Sequence, residues 1–197
     1  MRGGNKVIEL NGNWMSGYAF DIHTLYSIYE GCDEYGHPNY ETKRTLMGEA
    51  VYKLKYRNDK CQVFNIINLL QKNQDFLSFI QDVDVIVPVP PTKKRDFQPV
   101  VEIAKQIAIK FQKSFLGNAL SSTNTRQMKN VPTEKKYKTM LDNVVVDFSK
   151  LNKSFHYLIF DDLYDSGTTL KVYVDKFVQN GYDRVSVFAL TKTRNPD

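Results

Sequence analysis

Apolar positions along the chain follow two rhythms. Short runs rich in β-branched residues, 83–89 (VDVIVPV), 157–160 (YLIF) and 185–190, have the length and composition of buried strands. Segments with a helical period lie between them: 97–111, with Val100, Ile103, Ala104, Ile107 and Phe111 on one face, and 170–179, with Leu170, Val174, Phe177 and Val178 inward. Asn180 and Gly181 end the second helix. Strands alternating with helices predict an α/β fold: a mostly parallel twisted sheet, flanked by helices and joined by right-handed crossovers.

Upstream, 45–56 reads as a helix through Leu46, Ala50 and Leu54, and 63–70 and 76–80 read as further helix. Residues 14–29 are aromatic-rich and partly alternating, which favours strand, and 31–40 carries the breakers Gly36 and Pro38. A segment from about Tyr40 would close a hairpin on the first. Residues 1–13 are polar and glycine-rich and predict an unstructured start. The chain thus divides into a strand-rich N-terminal hood or appendage, 1–44, and an α/β core, 45–197. Trp14, Tyr18 and Tyr35 read first as core residues and second as a stacking hood over a flat ligand. The stretch 121–139 is polar and rich in lysine and threonine, either a functional loop or a disordered one, with Thr133 and Glu134 starting a short helix. Val144 begins another strand.

Composition changes this picture little. The 197 residues supply 42% hydrophobic side chains, enough for one sizeable core. The absence of a long apolar run or a signal-like N-terminus predicts a cytoplasmic protein without a membrane span. Cys32 and Cys61 lack paired-ligand spacing and read as free thiols. A net charge of +5 suits a polyphosphate ligand and weak nucleic-acid contact alike. His23, His37 and His156 show no metal spacing.

Chemistry concentrates in FDDLYDSGTTL, residues 160–170. An apolar strand runs into two acids, Asp161 and Asp162, at the carboxyl edge of the sheet, where such folds bind ligands. Asp165, Ser166, Gly167, Thr168 and Thr169 then lead into a helix. The unsatisfied amides and dipole of a helix start suit a phosphate, glycine admits close backbone approach, and the hydroxyls add uncharged donors. The two acids suit vicinal sugar hydroxyls, or a magnesium ion bridging sugar and pyrophosphate oxygens. The plainer alternative is a solvated, helix-capping turn.

Residues 160–170 resemble the motif of type I phosphoribosyltransferases that binds phosphoribosyl pyrophosphate (PRPP). Two further stretches are similar to ComF-type members: 85–108, where a Val-Pro-Val-Pro strand end precedes a basic loop, a Phe-Gln pair and a helix, and 125–143, with Arg126, Gln127, Met128 and Lys129. The Leu54-Lys55-Tyr56-Arg57 run is similar as well, so the resemblance covers about residue 45 onward. The Asp165-Ser166-Gly167 version resembles the purine-salvage branch, in which the acid contacts the base.

The resemblance implies that Asp161 and Asp162 bind the ribose hydroxyls, and magnesium directly or through water or substrate. It implies that Asp165 to Thr169 cradle the 5-phosphate, with Asp165 as a candidate general base. Pro91, Thr92, Lys93 and Lys94 would form the pyrophosphate loop, and Arg126 and Lys129 would close over the leaving pyrophosphate. The implied reaction transfers ribose 5-phosphate from PRPP to a nitrogenous, nucleobase-like acceptor. The implied alternative is an inactive PRPP-binding or nucleotide-binding module in DNA uptake, regulation or defence, with nucleic acid as a possible partner. Family habit adds a homodimer. An unrelated receiver-like or Rossmann-like domain is the third reading; it lacks a Gly-x-Gly-x-x-Gly turn and leaves the prolines at 88–91 unexplained.

Overall fold

A computed structural model describes residues 6–91, 96–122 and 133–194. Ten strands and six helices are described: β1 Ile8–Glu9, β2 Gly17–Ile22, β3 Thr24–Cys32, β4 Pro38–Arg44, α1 Leu46–Tyr56, α2 Gln62–Leu70, α3 Gln74–Gln81, β5 Val85–Pro88, α4 Pro99–Lys110, β6 Ser114–Phe115, β7 Leu120–Ser122, α5 Thr133–Asn143, β8 Val144–Val146, β9 Tyr157–Tyr164, α6 Thr168–Gln179 and β10 Val185–Lys192. The central sheet has the order β1-β2-β10-β9-β5-β6. All its pairings are parallel except β1 with β2.

Strand alternation builds a core on each face of this sheet. Leu158 and Phe160 of β9, with Phe188 and Leu190 of β10, pack beneath α1 to α4. Tyr157 and Ile159, with Val187 and Ala189, pack beneath α6 and the small β7–β8 sheet. No described helix is long and apolar enough to cross a membrane.

The N-terminal region departs from the sequence reading. Part of the expected unstructured start is ordered: β1 pairs with β2, and Leu10 is buried. β2, grouped by sequence with the hood, runs parallel to β10 inside the central sheet. Buried Ala19 and Phe20 explain this, since they give β2 an apolar side chain on each sheet face. Trp14 and Tyr18 pack against the core, whereas Tyr35 stands exposed in the separate β3–β4 hairpin.

Thr45 caps α1, accepting from the Gly48 amide at 3.0 Å and donating to the Ile22 carbonyl at 2.7 Å. A Cβ on Gly48 would fall 2.9 Å from the carbonyl carbon of His23, so α1 lies directly on the end of β2. That close approach carries Lys55, near the end of α1, over the carboxyl end of β9.

Candidate functional site

β9 is longer than its apolar run. The strand was expected to stop at Phe160, with both acids in an exposed loop. Instead β10 continues the ladder, pairing Ala189 with Asp161, Thr191 with Leu163 and Lys192 with Tyr164. Asp161 and Asp162 therefore lie within the strand and point to opposite sheet faces.

Asp162 faces α1 and is buried, 5% exposed. The Lys55 ammonium lies 3.1 Å from Oδ1 and 3.0 Å from Oδ2. Oδ2 has this charge contact but no hydrogen-bond partner. Thr191 Oγ1 donates to the Asp162 carbonyl at 3.1 Å and lies 3.0 Å from His23 Nδ1. Burial, with Arg44 and Lys55 nearby, lowers the His23 pKa below its usual value.

Asp161 lies on the α6 side, half-buried. Its Oδ1 accepts from the Asp162 amide at 2.8 Å. Burial first, and the adjacent Asp162 carboxylate second, push its pKa up to about 8. The neutral form of Asp161 is therefore favoured, while Asp162 faces the lysine.

Both acids line a cleft of about 380 Å³ at the carboxyl ends of β5 and β9. Lys55 and Tyr56 of α1 form one wall; Val89, Pro90 and Pro91 after β5, with the start of α4, form another. Pro91 is the described member of the expected pyrophosphate loop. Thr92, Lys93 and Lys94 lie outside the described residues, as do Arg126 and Lys129.

A second hollow, of about 150 Å³, is lined by residues 163–170 and Met140, and Leu163 lines both hollows. The loop between β9 and α6 is only residues 165–167. Gly167 stands at the N-cap with φ +72°, and no side chain caps the helix, whose first turn holds no acid. Ser166 and Thr168 hydroxyls are 2.9 Å apart. Thr193 Oγ1 donates to Asp165 Oδ1 at 2.9 Å, tying the loop to the end of β10. The loop thus presents an uncapped helix start to a hollow that adjoins the acid cleft.

Among the described residues no three His, Cys, Asp or Glu side chains gather as a metal cluster. A metal at Asp161 and Asp162 would therefore need ligand or water oxygens to complete its shell, which is how magnesium is commonly held. Cys32 and Cys61 are free and exposed. His156 is buried at the opposite end of β9, with Nδ1 2.8 Å from the Asp82 carbonyl and Nε2 2.8 Å from Ser186 Oγ.

Sequence reasoning assigned no role to Lys55 in the cleft. Its presence in the Lys-Tyr-Arg run was the available signal, but its partner lies 107 residues away. No protein-family model and no curated protein matches the chain.

Proposed function

We propose that the chain is a phosphoribosyltransferase with the type I fold, transferring ribose 5-phosphate from PRPP to a nitrogenous, nucleobase-like acceptor and releasing pyrophosphate. The observation that carries the reading is the pairing of two hollows at one sheet edge: an uncapped helix start beside a cleft holding two adjacent acids. A phosphate in the first hollow meets the free amides and positive dipole end of α6. A ribose spanning Leu163 brings its hydroxyls to Asp161 and Asp162.

In this reading Asp161 and Asp162 bind the ribose hydroxyls, with Asp162 accepting from one. The acceptor nitrogen forms a bond to the anomeric carbon as the bond from that carbon to pyrophosphate breaks. The proton of the acceptor nitrogen passes to Asp165. When bound, magnesium supplies charge neutralisation to the pyrophosphate, held by Asp161 and by Asp162 directly or through water or substrate. Most of the acceleration comes from positioning and from stabilising the leaving group.

The Lys55–Asp162 ion pair favours a second reading, a module that binds PRPP without turnover, because one carboxylate meant for the sugar is already engaged. Magnesium-dependent pyrophosphate release from PRPP with a panel of nucleobases separates the two. Release with at least one base supports transfer. Binding of PRPP without release across the panel supports the module.

A further inference from the structure

Asp162 carries its charge where water barely reaches, and its Oδ2 accepts no hydrogen bond among the described residues. Lys55 is its ion-pair partner there. The lysine is less confined than the acid. Its side chain is 23% exposed, and among the described residues its ammonium makes no other hydrogen bond or ion pair. An ammonium has three N–H donors on a flexible four-carbon stem. One is spent on Oδ1, and two remain open.

Lys55 also stands on the wall of the acid cleft, and Pro90 and Pro91 after β5 form another wall. Among the described residues that line this cleft it is the only lysine or arginine. An anion entering there meets a cation already committed to a carboxylate. Pulling that cation off a buried acid is strongly unfavourable unless another group satisfies the oxygens. A donor reaching Oδ2 from the cleft does so, and a sugar hydroxyl is such a donor.

We propose that Lys55 is an exchangeable counterion: it neutralises Asp162 until a sugar hydroxyl takes over that carboxylate, and its ammonium then passes to a pyrophosphate group in the same cleft. Sugar and anion thereby bind cooperatively, each lowering the cost of the other, with the same coupling in both directions. The ion pair then does not oppose sugar binding, because the ligand that needs the carboxylate releases it. The identity of the ligand rests on the phosphoribosyl reading; the exchange itself rests on the pair and the cleft. A pair that served only to hold α1 on β9 would not respond to an anion.

Calorimetric titration of inorganic pyrophosphate, with a chelator present to exclude metal, tests the exchange in the full chain. Asp162→Asn frees the lysine without a sugar, so this variant should bind pyrophosphate at least about fivefold tighter than the wild type, the low end for coupled sites. Lys55→Met/Asp162→Asn should lose that gain. Neither variant strands a buried carboxylate at this pair, and circular dichroism checks that both are folded. An Asp162→Asn protein that binds pyrophosphate no tighter than the wild type, or not at all, would overturn the proposal. So would a gain that survives in the folded double variant. If the variants follow the expected pattern while the wild type fails to bind PRPP, the exchange stands and the phosphoribosyl reading alone falls.

Discussion

Lys55 on α1 straddles the buried carboxylate of Asp162 on β9, 3.0 Å from Oδ2 and 3.1 Å from Oδ1. The contact joins the helix that packs on β2 to the strand that carries the acid pair. It fixes which of the two adjacent carboxylates faces a cation, while burial and the neighbouring Asp162 charge push the other, Asp161, toward its neutral form.

Removing the lysine leaves a buried charge without its cation. Lys55→Ala should cost about 3 kcal/mol of stability by urea denaturation, at the low end for broken buried pairs because the lysine is partly exposed. Lys55→Ala/Asp162→Asn should recover part of that loss, since the lone charge is gone. Equal destabilisation in the single and double variants would contradict the pairing.

Asp161 makes stability depend on pH in a defined direction. Its folded pKa is about 8, against an ordinary carboxyl value near 4 in the unfolded chain. Between these values the folded state keeps a proton that the unfolded state has lost, so this residue's contribution falls as pH rises from about 4 to 8. Asp161→Asn removes that term. Its melting temperature should match the wild type near pH 4 and exceed it at pH 9; a constant difference across the range would contradict a raised pKa.

Gly167 carries two separable demands. Its φ of +72° disfavours any side chain, and an added Cβ would fall 2.6 Å from Cζ of Tyr164. Gly167→Ala should lose roughly 1–2 kcal/mol for the backbone conformation alone, and more for the clash. Adding Tyr164→Ala should relieve only the second part, a distinction that denaturant titration of both variants resolves.

The helices and the three apolar strands were legible because their faces are continuous: Val85 to Val87, Tyr157 to Phe160 and Val185 to Leu190 are buried in unbroken runs. The reach of β9 was not, because hydrophobicity stops at Phe160 while backbone pairing with β10 continues to Tyr164. That hidden extension turned two supposed loop acids into strand residues on opposite faces. The strand–loop–helix around Gly167 could be read from local chemistry, since glycine, hydroxyls and an amphipathic helix follow one another directly. Lys55 could not be placed at Asp162, because that contact is made by tertiary packing of α1 on β2. The two-residue β1 and β6 were too short to show any period.

Titration calorimetry of PRPP with magnesium against the wild type and Gly167→Val tests the central claim most directly. A sugar phosphate seated on the start of α6 predicts saturable binding to the wild type, weakened at least tenfold in the variant while its circular dichroism stays native. Absence of binding to the wild type, or equal binding to a folded Gly167→Val, would contradict it.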